Sequence, residues 1–111
     1  MKKKIVKILG VPYTLVESDI NDDPVLDGKA GYCDYTTKRI VIVDIEKSVF
    51  EGGCDKHTFI KGVIRHEIIH AFLQESGLWN QNSWDEEQMV DWLALQFPKI
   101  LKVFSDLGVE E

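Results

Sequence analysis

The chain has 111 residues, of which 44% are hydrophobic and 29% charged, and 13 Lys and Arg against 19 Asp and Glu give a formal net charge of −6. This composition is typical of one globular domain spanning residues 1–111, and it excludes a disordered tail, a collagen-like repeat and a membrane span. A nucleic-acid-binding protein needs a concentrated basic face, whereas basic residues cluster here only at positions 2–4, so we expect no direct contact with DNA or RNA.

The basic N-terminus superficially resembles a secretion signal. However, Lys7 interrupts its apolar run, Pro12 and Glu17 follow closely, and there is no small-residue cleavage site. The two cysteines are too few for the disulfide framework on which small secreted domains depend. We therefore expect the N-terminal segment to be a β-strand that begins with basic residues. We also expect the protein to be cytoplasmic and to have no membrane partner.

The first half of the chain is predicted to form two β-hairpins. Four β-rich runs support this prediction: residues 4–9, 13–17, 31–35 and 39–43. Turn signals at Gly10-Val11-Pro12 and Thr36-Thr37-Lys38 join the runs in pairs, and residues 18–31, rich in Asp, Asn and Gly, read as a loop. The continuous apolar run Ile40–Val43 predicts a strand that is covered on both faces.

A long helix is predicted to follow, from about Lys56 to Ser76. Asp55 is a suitable N-cap, apolar residues recur at helical spacing, and Gly77 stands where a left-handed C-terminal cap is expected. Because strands precede helices without alternation, the pattern predicts an α+β fold whose antiparallel or mixed sheet packs against this helix.

A second helix is predicted to open at residues 83–86, which have the spacing of a capping box, and to run to about Phe97. Pro98 is expected either to kink this helix or to divide it from a last helix over residues 99–107 that Gly108 closes. We interpret four large apolar residues of this region as core rather than as a substrate box: Trp84, Met89, Trp92 and Phe97.

The residues most informative about chemistry are His66-Glu67-Ile68-Ile69-His70, in the middle of the first helix. Histidines four residues apart lie about 40° apart around a helix, so both imidazoles can bind one metal ion. Glu67, about 100° further round, has the position of a general base for a water activated by that metal. The alternative is a helix that carries two histidines by coincidence, but such a half-buried polar set would be costly without a metal or other partners.

A third metal ligand is available in the second helix. Glu87 follows His70 by 17 residues, and Asp91 follows Glu87 by four, so both carboxylates share one helix face. Glu87 can bind the metal while Asp91 accepts a hydrogen bond from a ligand imidazole and orients its ring. The alternatives are a Glu87 favoured only by the helix dipole and an Asp91 that is simply exposed. The full set predicts a Zn²⁺ site with one open position.

The pattern His66-Glu67-x-x-His70 followed by Glu87-x-x-x-Asp91 resembles that of the gluzincin zinc metallopeptidases. More narrowly, the sequence Glu-Gln-Met-Val-Asp-Trp-Leu-Ala that starts at Glu87 is similar to a Glu-x-x-Ala-Asn-x-Phe-Ala stretch of the ImmA/IrrE family, which includes small phage-associated members. Residues 31–97 carry the resemblance, which implies a small zincin-like domain. It also implies ligand roles for His66, His70 and Glu87, and a base role for Glu67. Asp91 stands where ImmA/IrrE proteins have Asn.

The resemblance implies a zinc metallopeptidase, a regulator from a phage or mobile element, whose peptide or protein substrate is for example a transcriptional repressor. Thermolysin-like enzymes hold the oxyanion with a downstream histidine, and no histidine follows His70 here. That role would fall to zinc, to a backbone N–H, or to Tyr32 or Tyr35, and residues 32–35 are also the expected edge for docking a peptide. The alternative function is a non-catalytic, zinc-stabilised phage interaction module that binds a partner protein.

Overall fold

The computed structural model describes residues 3–47, 55–78 and 87–110, and these ranges form a four-stranded sheet with two α-helices. The elements are β1 (Lys3–Ile8), β2 (Val11–Ser18), β3 (Gly31–Asp34), β4 (Arg39–Val43), α1 (Lys56–Ser76) and α2 (Glu87–Leu107). A short 3₁₀ helix, Pro24–Leu26, lies in the loop between β2 and β3. The predicted α+β class is confirmed. The predicted capping box at residues 83–86 and Trp84 lie outside the described residues.

The sheet is mixed, with strand order β1-β2-β4-β3. Both predicted hairpins form as antiparallel pairs, and β2 joins them by running parallel to β4, with Thr14 beside Arg39 and Ser18 beside Val43. The first turn lies one residue earlier than predicted, at Leu9-Gly10, where both φ angles are positive (50° and 84°). Two residues with positive φ suit a two-residue hairpin, because that turn matches the twist of the paired strands.

The core lies between the sheet and α1. Ile40, Val41 and Ile42 of the inner strand β4 are all fully buried, so the prediction of a strand covered on both faces is confirmed. Ile40 and Ile42 pack in one cluster with Tyr13 of β2 and Ala71 of α1, which fixes α1 across one face of the sheet. This packing sets the orientation of α1 on the sheet, and therefore also the direction in which the α1 residues on the side away from Ala71 point.

The ends of α1 are those that the sequence predicts. The Asp55 carboxylate accepts a hydrogen bond from the Thr58 backbone N–H at 3.0 Å, and Gly77 closes the helix with φ of 81°. Each cap satisfies backbone groups that the helix itself leaves without partners. None of the described helices is long and apolar enough to cross a membrane.

Helix α2 continues through Pro98, so the expectation that Pro98 divides it into two helices is wrong. A proline inside a helix removes the N–H that would bond the carbonyl four residues earlier, here that of Ala94. Arg65 of α1 replaces that donor, because its Nε lies 2.6 Å from the Ala94 carbonyl oxygen. The Arg65 side chain of α1 thus provides the hydrogen-bond donor that the backbone of α2 lacks at this point, and this bond connects the two helices.

The expected core role of the large residues of α2 is wrong for Trp92 and Phe97, which are 56% and 50% exposed. The residues that α2 buries are Val90 and Ala94, while Met89 is half-buried. The physical reason is that α2 packs chiefly on α1, through the face that carries Val90 and Ala94. Trp92 lies about 200° round the helix from Val90, on the opposite face, and Phe97 lies beyond Ala94, the last buried residue of α2. All of residues 101–110 are exposed.

Candidate metal centre

Helices α1 and α2 bring the three predicted metal ligands to one point. The Nε2 atoms of His66 and His70 are 3.2 Å apart, and the ring centroids are separated by 4.8 Å. From α2, the Glu87 carboxylate places Oε1 2.7 Å from His70 Nε2 and Oε2 3.3 Å from His66 Nε2. One turn of α1 therefore supplies two nitrogen atoms, and the first turn of α2 supplies the oxygen atoms opposite them.

These separations and atom types fit a divalent cation. Four ligands at 2.0–2.1 Å around tetrahedral zinc lie about 3.3–3.4 Å from one another. The separations of 3.2 and 3.3 Å from His66 Nε2 are close to this value, and the 2.7 Å between His70 Nε2 and Glu87 Oε1 is shorter. His66 Nδ1 lies 2.7 Å from the Asp91 carboxylate, which can only accept a hydrogen bond, so Nδ1 carries a proton; in the neutral ring Nε2 then carries a lone pair. That lone pair and the Glu87 carboxylate are both acceptors, and a shared cation satisfies both.

Asp91 has the position that the sequence predicts for an orienting carboxylate. It lies one turn after Glu87 on α2 and contacts the outer nitrogen of His66, on the opposite side of the ring from His70. Contacts of this kind fix the tautomer and the direction of a ligand imidazole. The two carboxylates of α2 therefore lie at opposite nitrogens of the His66 ring, Asp91 at Nδ1 and Glu87 at Nε2.

Glu67 is the buried charged residue of the site, at 7% exposure, and its Oε2 lies 3.9 Å from His66 Nε2. Burial raises the pKa of the Glu67 carboxyl, while the neighbouring imidazoles of His66 and His70 act in the opposite direction, and so does the Lys29 ammonium. A carboxylate with a raised pKa is a stronger base at neutral pH, and this one lies beside the point where the ligands converge.

The site opens into a cleft of about 850 Å³ between the β3 edge and the two helices. Gly31 allows β3 to lie close to α1. A Cβ at this position would lie 2.9 Å from the Val41 carbonyl oxygen and 3.1 Å from a Val63 methyl carbon. The Val43 N–H bonds the Ala30 carbonyl at 2.8 Å. In an antiparallel ladder the backbone groups of the next residue, Gly31, therefore face away from β4.

The two tyrosines predicted to contact substrate differ in their positions. Tyr32 lines the cleft, but its hydroxyl donates to Asp23 at 2.5 Å, and burial together with this bond raises the Tyr32 pKa to about 12. Tyr35 follows β3, is 41% exposed and does not line the cleft. Neither hydroxyl is therefore aimed at the converging ligands.

The polar residues that line the cleft and were missed from the sequence include Lys29, Arg65 and Gln74. Gln74 follows His70 by four residues, so helical spacing could have identified it. Its Oε1 is buried with no hydrogen-bond partner within the described ranges. Arg65 precedes the motif directly, but its role depends on the distant Pro98. Lys29 lies in a loop, where no periodic signal exists.

Comparison with known proteins finds no matching family model, no similar curated protein and no similar solved structure. The resemblance to the ImmA/IrrE family therefore stays a prediction.

Proposed function

We propose that this chain is a zinc-dependent metallopeptidase with a zincin-like domain. The observation that carries the proposal is the convergence of His66, His70 and Glu87 beside a buried Glu67, at the wall of an open cleft. A purely structural metal site needs no buried carboxylate beside its ligands and no cleft. A hydrolytic site needs both, because it must hold a substrate and remove a proton from water.

In this proposal His66, His70 and Glu87 hold the zinc, and Asp91 keeps the His66 ring in place. Zinc bound there supplies Lewis-acid polarisation of the scissile carbonyl and makes water more acidic. Glu67 takes a proton as water oxygen bonds to the carbonyl carbon and the carbonyl electron pair moves onto oxygen. Glu67 then delivers that proton to the amide nitrogen as the C–N bond breaks, which leaves a carboxylic acid and an amine. The second proton of the water passes from the acid to the amine, so the products are a carboxylate and an ammonium.

The substrate class that fits the cleft is an extended peptide. Strand β3 is at the edge of the sheet, and the outward-facing backbone groups of Gly31 can pair with one more strand. By the ImmA/IrrE resemblance we propose a cytoplasmic regulator from a phage or mobile element that cleaves a protein such as a transcriptional repressor.

Metal content is the first test. Wild-type protein purified without added metal should contain about one zinc ion per chain by elemental mass spectrometry, and Glu87→Ala should contain far less. Glu110→Ala, which removes an exposed carboxylate far along the chain, is the matched control and should keep its zinc. A wild-type protein that takes up no metal even when zinc is offered would overturn the proposal.

Turnover is the second test, with a mixture of unstructured peptides as substrate. Glu67→Gln should retain zinc and lose peptide cleavage, because it keeps the shape of the side chain and removes the base. Cleavage by Glu67→Gln at the wild-type rate would show that Glu67 is not the base.

One observation favours the second candidate function, a zinc-stabilised module that binds a partner without catalysis. The second half of α2 exposes a row of apolar side chains at helical spacing: Phe97, Leu101, Phe104 and Leu107. In that case zinc would raise the melting temperature, and the Glu67→Gln variant would keep the full biological effect of the protein.

A further inference from the structure

Hydrolysis of a peptide bond places a negative charge on the carbonyl oxygen, and the proposed mechanism assigns no protein residue to that charge. No histidine follows His70, and the hydroxyl of Tyr32 is held by Asp23. Groups that face such a charge contribute strongly to catalysis, because they act in the transition state more than in the bound substrate. A cationic side chain that lines the cleft could therefore stabilise the negative charge on the carbonyl oxygen.

Two cationic side chains line the cleft among the described residues, Lys29 and Arg65. Arg65 is directed towards α2, where its Nε bonds the Ala94 carbonyl. Lys29 lies on the opposite wall, two residues before β3, and its Nζ is 5.9 Å from the centroid of the Tyr32 ring. Its side chain is exposed to the cleft, and its positive charge acts on the Glu67 carboxylate.

We propose that Lys29 is a catalytic residue whose ammonium group donates a hydrogen bond to the carbonyl oxygen of the peptide as that oxygen becomes negative. The inference rests on the proposed peptidase function. Lys29 lies two residues before the edge strand against which an extended peptide would lie, and its three N–H donors are carried on a flexible stem. The Tyr32 ring, itself held by Asp23, limits where that stem can go. In this role Lys29 donates a hydrogen bond and transfers no proton, so no covalent bond of its side chain is made or broken.

The test uses protein loaded with Co²⁺, whose visible absorption reports ligands that enter the metal site without any need for turnover. The probe is a tripeptide blocked at both ends, in which an anionic phosphonate replaces one internal amide. Lys29→Met should weaken phosphonate binding by about 10- to 100-fold, which is the loss expected for one hydrogen bond to a charged group. Lys29→Arg should stay within about threefold of wild type, because the cation and its donors remain.

The matched control is Lys61→Met, which removes an exposed lysine of α1 that does not line the cleft and should leave phosphonate binding unchanged. A second probe, the parent tripeptide with its amide intact, is bound in the Glu67→Gln background so that it is not cleaved. Lys29→Met should leave its affinity within about twofold, because the neutral carbonyl gains little from the ammonium.

Two results would overturn the role of Lys29 and leave the peptidase proposal standing. In the first, the protein takes up Co²⁺ normally and Lys29→Met binds the phosphonate as tightly as wild type does. In the second, Lys29→Met loses affinity for the phosphonate and for the amide by the same factor. The second result would make Lys29 a group that binds the ground state of the substrate. Failure of the wild-type protein to take up Co²⁺ would overturn the peptidase proposal, and the role of Lys29 with it.

Discussion

Arg65 offers the most direct test of how α2 is held beside α1. Its Nε donates to the carbonyl oxygen of Ala94, a residue that is 5% exposed and that Pro98 deprives of its helical donor. Arg65→Met keeps much of the aliphatic stem and removes the donor. A buried carbonyl left without a partner costs about 1–3 kcal/mol, so the free energy of unfolding should fall by that amount. For a domain of this size the melting temperature should fall by roughly 5–15 °C.

The assay is urea unfolding of the metal-free protein followed by far-UV circular dichroism, so that any loss of zinc binding does not contribute. The control is again Lys61→Met, an exposed change on the same helix that should alter stability by less than about 0.5 kcal/mol.

A double-mutant cycle distinguishes the loss of the hydrogen bond to the Ala94 carbonyl from any other effect of removing the Arg65 side chain. Pro98→Ala supplies a backbone N–H that can bond the Ala94 carbonyl, so Arg65→Met should cost at least about 1 kcal/mol less in that background. An equal cost of Arg65→Met with Pro98 and with Ala at position 98 would refute the reasoning, because the carbonyl would then not be the group that Arg65 satisfies.

Three further predictions concern the site, the β3 edge and the contact that anchors α1. Asp91→Asn should weaken zinc binding by about 10- to 100-fold in competition with a chelator, because the His66 ring loses its carboxylate partner; unchanged affinity would contradict that role. Gly31→Ala should lower the free energy of unfolding by about 1–3 kcal/mol in urea titrations, since the added Cβ would overlap the Val41 carbonyl oxygen; an unchanged midpoint would show that β3 can move away. The Lys38 ammonium, 2.6 Å from Glu75, holds the pKa of that carboxyl below its ordinary value. The carboxylate therefore stabilises the fold above the unfolded-state pKa of about 4.3, and this contribution disappears as pH falls through the folded-state pKa. Glu75→Gln should consequently lower the urea midpoint at pH 7 and have little effect near pH 2, and an equal effect at both values would refute this sign.

Local sequence determined the features of this protein that depend on neighbours in the chain. Asp55 and Gly77 give the ends of α1 because a capping side chain and a left-handed glycine act within one turn. The two hairpins form where turn residues separate β-rich runs, and the spacing of His66 and His70 alone puts both rings on one face of α1.

Tertiary structure decided every feature that joins segments distant in sequence. The parallel pairing of β2 with β4 follows from packing both hairpins under α1, and no local pattern encodes it. Pro98 reads as a helix breaker until Arg65, 33 residues earlier, supplies the missing donor. Trp92 is apolar and is still exposed, because α2 packs on α1 through the face of Val90 and Ala94, and Trp92 lies on the opposite face.

The candidate site combines both kinds of information. Sequence spacing was sufficient to propose His66, His70, Glu87 and Asp91, since each pair lies within a single helix. The distance between the pairs, the burial of Glu67 and the presence of Lys29 on the opposite wall depend on how two helices and a strand edge pack together. A linear sequence fixes the spacing of side chains along one element, whereas the separation between elements is set by the core that they share.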